Sequence, residues 1–341
     1  MVGISLGDPS GIGPEVVSGA LRRRTVSSAL IPVLFGDAGS FEEDALFRRF
    51  TRCTPLTLPK KVSAPVACEV TRLKASERRP GKPSLAGGHA QLVFIRAAVA
   101  AAQAGKVTAL CTAPVSKEQI SRTGTPFLGH TELLADAFGC EVLMLMDGPR
   151  LKVALATNHL PLSAVPGALR IAKLVAQLSL LSRSLKPLLK RRPVIAVCGL
   201  NPHAGDGGFL GQEEEKIIAP AIARSRALGI ACTGPYSADG LFAQNNRLAF
   251  DVALAMYHDQ GLIVVKALDF SHTVNVTLGL PVPRTSPDHG TAYSLAGRGE
   301  ASVEPMVAAL LRAAQLARGQ VPAHLHYRAL KASEGEPSAR V

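Results

Sequence analysis

Three histidines stand just past apolar, strand-like runs: His159 after Lys152 to Thr157, His203 after Val194 to Leu200, and His258 after Val252 to Tyr257. Neutral imidazoles are ligands for divalent cations, and three protein ligands with one position open is the arrangement of a catalytic metal. In open α/β sheets ligands collect outside the carboxyl ends of the strands, so imidazoles from distant segments can converge there. One histidine at one strand end is more often a cap or a satisfied core residue. Three in the same local context favour a shared metal site. Histidine-only coordination suits Zn²⁺, Co²⁺ or Ni²⁺ better than Mg²⁺, although a substrate bringing oxygen ligands would widen the choice. Asp259 sits beside His258, where a carboxylate can orient a ligand or move a proton.

A second set has anion-binding chemistry: Gly129-His130-Thr131-Glu132 at a predicted helix start, Lys266 after a predicted strand over Leu262 to Val265, Asn275 in Thr273-Val274-Asn275-Val276, and Arg284 in Pro283-Arg284-Thr285. Helix N-terminal amides, a hydroxyl, a point charge and a guanidinium fork together suit phosphate or carboxylate. Ordinary rim charges are the competing reading of Lys266 and Arg284, and the residues alone weigh the two evenly. Asp288 to Gly299 reads as a glycine-lined loop joining a turn to a short helix, able to cradle a flat or phosphorylated group, though its spacing has low specificity.

The elements that must position these groups follow βαβ grammar. Val2 to Leu6 reads as a buried strand, Gly7 to Glu15 as a loop, and Val16 to Arg24 as a helix. The glycines of that loop do not have dinucleotide-fingerprint spacing, and Pro14 and Ser10 explain much of it as helix-start chemistry. Arg52 to Lys82, rich in Pro, Lys, Arg and Ser, predicts a peripheral hairpin with short β pieces around Pro55 to Leu58 and Cys68 to Leu73. Helices are expected over Gln91 to Gln103, Glu132 to Phe138, Gly167 to Lys190, Gln212 to Leu228 and Ser302 to Arg318. Strands are expected at Val107 to Thr112, Glu141 to Met146 and Lys152 to Thr157, from Val194, and near Ile230, Val252, Leu262 and Val274. The residues after Gln320 read as a loose tail.

With 341 residues the chain can bury a large core. Its 38 basic and 26 acidic side chains leave +12, which would attract nucleic acid, an anionic membrane or a small anionic substrate. The clusters Arg22 to Arg24, Lys60-Lys61, Arg78-Arg79 and Lys190 to Arg192 are short, lack interleaved aromatics, and read as solvated surface. No nucleic-acid or membrane partner is expected. Six scattered cysteines predict reduced, structural thiols. With no leader-like start and no uninterrupted apolar stretch of membrane-spanning length, the cytoplasm is the expected compartment.

Gly7-Asp8-Pro9-Ser10-Gly11-Ile12-Gly13-Pro14-Glu15, Thr112-Ala113-Pro114-Val115-Ser116-Lys117, Gly129-His130-Thr131-Glu132, Asn201-Pro202-His203-Ala204-Gly205, Tyr257-His258-Asp259-Gln260-Gly261 and Asp288-His289-Gly290-Thr291-Ala292 occur in the order of the 4-hydroxythreonine-4-phosphate dehydrogenase (PdxA) family, which the chain resembles from about Val2 to Arg318. The resemblance implies an isocitrate/isopropylmalate dehydrogenase-like two-domain α/β/α fold with a mixed, mostly parallel sheet. It implies a discontinuous cofactor-side domain (1–128 together with 279–341), a metal, substrate and dimerisation domain (129–278), and a homodimer with active sites at the subunit interface.

The implied reaction is NAD- or NADP-dependent oxidation of the C3 hydroxyl of 4-phosphooxy-L-threonine, then decarboxylation to 3-amino-2-oxopropyl phosphate for pyridoxal phosphate synthesis. It implies one divalent ion (Zn, Co or Mg) on His159, His203 and His258, substrate contacts from His130, Thr131, Lys266, Asn275 and Arg284, Asp239 and Asp259 near the reacting centre, and cofactor contacts from Gly290, Thr291 and Ala292. Pro287 and Phe270-Ser271-His272-Thr273 depart from the family pattern beside substrate-side residues, which bears on the substrate more than on the chemistry. Alternatives are a relative acting on 4-phospho-threonate, 4-phospho-erythronate or a cis-diol carboxylate, a metal-dependent hydrolase without nicotinamide, and a basic nucleic-acid-binding protein.

Overall fold

Apolar runs at strand spacing, most of them followed by a turn into a helix, build this chain as α/β throughout. A computed structural model describes residues 1–243 and 246–319. In chain order, the first stretch carries β1 (Val2–Ser5), α1 (Gly13–Arg22), α2 (Arg24–Ser27), β2 (Pro32–Asp37), α3 (Ala38–Glu43), β3 (Thr51–Cys53), β4 (Val66–Thr71), α4 (Leu85–Gln103), β5 (Ala109–Thr112), α5 (Lys117–Ser121) and α6 (His130–Phe138). Next come β6 (Leu143–Asp147), β7 (Lys152–Leu155), α7 (Val165–Ala168), α8 (Ile171–Leu189), β8 (Ile195–Cys198), α9 (Ala219–Ala227), β9 (Cys232–Tyr236), α10 (Ala238–Leu241), β10 (Val252–Ala255) and α11 (His258–Leu268). The chain then adds β11 (Val274–Leu278), β12 (Arg284–Pro287) and α12 (Glu304–Ala317).

Two units divide it. The first joins Met1–Val142 to Ser271–Arg318, and the second takes Leu143–Phe270. The division falls later than residue 128 and earlier than 278. Phe127 and Leu134 are buried in the first unit's core, and β11 pairs antiparallel with β12. His130, Thr131 and Asn275 therefore belong to the first unit. The expected tail after Gln320 lies outside the described residues.

In the first unit the strand order is β3-β4-β2-β1-β5-β12-β11, parallel except for β11 against β12. The expected hairpin in 52–82 is replaced by a parallel pair: Thr51 sits opposite Val66 and Cys53 opposite Cys68. Parallel neighbours need a crossover, and 54–65 makes one, with Pro55 to Leu58 as a turn rather than a strand. Helix α4 starts earlier than expected, where the Ser84 hydroxyl accepts the Gly87 amide at 2.9 Å. Its 19 residues are long and apolar enough to cross a membrane by length and composition alone, although His89, Gln91 and Arg96 interrupt the apolar run; 61% of its apolar window is buried inside the protein, as in a core helix. Arg78 is not simply solvated surface: it is 12% exposed and paired with Asp37 and Glu43.

The second unit has the order β6-β7-β10-β8-β9, with β6 antiparallel to β7 and the rest parallel. Its core gathers Met146, Val153, Leu155, Ala196, Phe250, Ala255, Leu262 and Val265. The strand expected at Leu262 is helix α11. The β-branched run Ile263-Val264-Val265 has strand propensity, yet Gly261, Leu262 and Val265 are buried while Ile263 is 65% exposed, the spacing of one helical face. All six cysteines are free, and burial pushes the Cys111 and Cys198 thiols up to about 12, the chemistry of inert packing groups.

Candidate functional site

In the second unit β7, β10 and β8 are adjacent and parallel, so the chain leaves all three at one carboxyl edge. His159 lies four residues past β7, His258 opens α11 just past β10, and His203 lies five past β8. The first two exits are tied together: the Ala156 amide donates to the Ala255 carbonyl at 2.8 Å and the Thr157 hydroxyl to the Met256 carbonyl at 2.7 Å. Rings of His159 and His258 stand 5.7 Å apart between centroids. Two imidazoles sharing a tetrahedral zinc at ordinary Zn–N lengths would stand about 5 Å apart, so this pair fits a common ion. Nδ1 of His258 meets the Asp259 carboxylate at 2.6 Å, which leaves Nε2 for a ligand role. Among the described residues no three His, Cys, Asp or Glu side chains of one chain converge closely enough to hold a cation. Two of the three predicted ligands come together, and His203 does not join them within one chain.

His203 sits on an unusual backbone. From His203 to Gly207 five consecutive residues have positive φ, three of them not glycine: His203 at 52°, Ala204 at 54° and Asp206 at 44°. Such positions cost about 1–3 kcal/mol each and persist only when their surroundings over-determine them. Glu214, 3% exposed, does this here: its carboxylate accepts the amides of Leu200 and Asn201 at 2.7 and 2.8 Å and the Asn201 side chain at 2.9 Å. A Cβ on Gly205 would stand 2.8 Å from that same carboxylate, so both the φ and the space require glycine. Asp239, on α10, is exposed; the Ser237 hydroxyl first, then the Gly240 amide, and to a smaller degree His203, hold its carboxyl below the usual range.

The first unit holds a buried cation. Arg284 opens β12 and is 2% exposed; its terminal nitrogens donate to the hydroxyls of Thr277 (3.1 Å) and Thr112 (2.5 Å), and Nε is sealed without a partner. Burial lowers its pKa to about 10, which leaves it charged at neutral pH. Arg284 faces Thr277 and Ser286 faces Asn275 across the β11–β12 pair, so all four project from one face of the sheet. The Asn275 side-chain oxygen is buried without a partner. His130 begins α6 with Nε2 likewise sealed; burial first, then Arg284 and Lys117, holds its pKa well below the ordinary value, so the ring is neutral. Thr131 is buried beside it in sequence. A buried guanidinium met by hydroxyls, with spare donors near a neutral imidazole, suits an anion. The charge of Lys117 near His130 is a contribution that the sequence alone does not reveal. Lys266 lies in the second unit, in the last turn of α11, with Nζ 5.9 Å from the Phe270 ring centroid.

The loop after β1 and the segment after β12 meet at Asp8, which is 1% exposed. Its carboxylate accepts the Tyr293 hydroxyl (2.5 Å), the Gln91 amide (2.7 Å) and the Ser10 backbone amide (2.8 Å), while the Gln91 oxygen takes the Ser116 amide at 2.7 Å. Burial raises the Asp8 carboxyl, with these bonds opposing it, and burial also pushes the Tyr293 phenol up. Ile12 donates to the Thr291 carbonyl at 3.0 Å, and Gly297 to Glu15 at 2.8 Å. The glycine at position 7 serves packing rather than a ligand: a Cβ there would stand 2.2 Å from the Pro114 carbonyl. Gly290, by contrast, is exposed with open space where a Cβ would be. The expected short helix after Asp288 is a run of turns.

Residues 28–313 match the family model described as pyridoxal phosphate biosynthetic protein PdxA. A 4-hydroxythreonine-4-phosphate dehydrogenase from Geobacter metallireducens is 41% identical over 321 residues, covering 92% of this chain and 95% of that protein. The crystal structure of the enzyme of the same name from Klebsiella pneumoniae superposes with a TM-score of 0.79 at 35% identity, covering 93% of this chain and 99% of that one. A terephthalate 1,2-cis-dihydrodiol dehydrogenase from Burkholderia xenovorans superposes with a TM-score of 0.65 at 30% identity, covering 94% and 99%.

Proposed function

Because this chain belongs to the PdxA family of pyridoxal phosphate biosynthetic proteins, we propose that it oxidises the C3 hydroxyl of 4-phosphooxy-L-threonine with NAD or NADP. Loss of CO₂ from the resulting 3-oxo acid then gives 3-amino-2-oxopropyl phosphate. The observation that carries the choice of a phosphorylated substrate is Arg284, a buried cation whose partners are hydroxyls. Arg284, His130, Thr131, Asn275 and Lys266 are the substrate contacts, with the neutral His130 ring donating one N–H. His159, His203 and His258 hold a divalent ion, zinc, cobalt or magnesium. When bound, that ion supplies positive charge that favours loss of the C3 hydroxyl proton and polarises the ketone for decarboxylation. Asp259 or Asp239, or a water one of them holds, takes the proton. The segment Gly290-Thr291-Ala292 contacts the nicotinamide cofactor, which accepts the hydride.

The working form is a homodimer with its active sites at the subunit interface, and the compartment is the cytoplasm. Exposed apolar side chains in the second unit, Leu162 at 66% and Phe209 at 91%, lie on the segments that carry His159 and His203 and support a subunit contact there. Likeness to the cis-dihydrodiol dehydrogenase favours, as a second reading, a relative acting on a cis-diol carboxylate. A panel of phosphorylated threonine, threonate and erythronate and an unphosphorylated cis-diol carboxylate, assayed by nicotinamide absorbance with metal-reconstituted wild type and Arg284→Met, separates these. Reduction of NAD(P) by phosphothreonine in the wild type, with KM raised tenfold or more by the substitution, is expected. Preference for the cis-diol carboxylate, or turnover with no nicotinamide reduced, would overturn the reading.

A further inference from the structure

The last ladder pair between β10 and β8 joins Leu254 to Val197, and beyond it the two chains part toward His258 and His203. One side chain bridges them where backbone pairing has stopped. Gln260, in the first turn of α11, accepts the Met256 amide on its side-chain oxygen at 2.7 Å and donates its side-chain nitrogen to the Gly199 carbonyl at 2.8 Å. Gly199 donates its own amide to Tyr236 on the β9 side at 2.7 Å, so its carbonyl is turned to Gln260. The Met256 carbonyl in turn takes the Thr157 hydroxyl at 2.7 Å from the His159 segment. The backbone of Met256 is thus a hub, and Thr157 and Gln260 tie to it the exits that lead to all three histidines.

We propose that Gln260 is a positioning residue for the metal centre: its amide anchors the Met256 backbone from which His258 sets out and ties it to the strand end that leads to His203, and so sets how tightly the ion is held, whichever copy of the chain supplies each histidine. This rests on the reading of His159, His203 and His258 as ligands. A primary amide of this length does both jobs, since the bridge needs an acceptor for Met256 and a donor for Gly199 on one planar group. Glutamate loses the donor, methionine loses both, and asparagine is one methylene too short to span. Residues that orient metal ligands from behind change affinity by about 10–100-fold when replaced.

The test is titration of the metal-free full-length protein with Co²⁺, followed by the visible absorption of the bound ion, for wild type, Gln260→Met and Gln260→Asn, with thermal unfolding of each metal-free form. Both variants are expected to bind Co²⁺ at least tenfold more weakly and with an altered spectrum while the metal-free proteins remain folded. If methionine prevents folding, the asparagine variant carries the measurement. Wild-type affinity and spectrum in the folded fraction of the variants would overturn the positioning role alone. Failure of the wild type to bind Co²⁺ at all would instead remove the metal reading, and the role of Gln260 with it.

Discussion

Single side chains decide most of the chemistry, and those that were legible in the sequence are those whose type announces it. The three histidines, Arg284 and the His130-Thr131 pair stand out because imidazole, guanidinium and hydroxyl at element ends have few uses, and Arg284 proves to be a buried charge rather than a rim residue. Asp8, Gln91, Thr112 and Gln260 were not legible, because they act through bonds to partners distant in sequence, such as Tyr293 for Asp8 and Gly199 for Gln260. His130 gives the residue-scale prediction. Burial depresses its folded-state pKa, so below about pH 6.5 the unfolded chain binds the extra proton and the folded chain does not. Its contribution to stability is therefore intact above that pH and falls as the pH drops, by up to about 1.4 kcal/mol per unit. Urea unfolding from pH 7 to pH 5 should show a shallower loss in His130→Gln than in the wild type; equal slopes would mean that the ring protonates freely in the folded protein.

Elements were read well where periodicity and end signals agreed and poorly where local propensity competed with packing. β1, α1, β7 and α12 fall within a few residues of their expected places, since each pairs an apolar period with a turn or a proline at one end. α11 was misread because β-branched residues fill a helix whose buried face is defined only by the sheet beneath it. β3 and β4 were misread because sequence proximity implies a hairpin, and nothing local in 54–65 reveals a crossover. The proposed cofactor segment belongs to this scale: its turns are held by Tyr293 on Asp8 rather than by a helix of their own. Tyr293→Phe should cost about 1.5–3 kcal/mol for a lost hydrogen bond to a charged group. It should also speed hydrogen exchange at Thr291 to Gly297 and raise the KM for the dinucleotide more than it lowers kcat. A loss of stability with unchanged exchange and unchanged KM would make the network a matter of folding only.

Across the whole chain, the ordered set of short motifs identified the family where no single motif did, because each fragment is ordinary loop chemistry and only the succession is specific. The α/β class followed from the same alternation of periods, while the place where the chain divides did not, since Phe127 and Leu134 join the first unit's core by packing alone. The fold sets three histidine-bearing exits on the carboxyl edge of neighbouring parallel strands, β7, β10 and β8, and the proposed metal centre rests on them. That arrangement is tested most directly by anomalous diffraction at the zinc edge from crystals of the full-length protein grown with Zn²⁺. The account predicts one strong peak per site, about 2.0–2.1 Å from ring nitrogens of His159, His203 and His258, drawn from one chain or from two copies. Zinc bound elsewhere, or no peak among those rings, would contradict it.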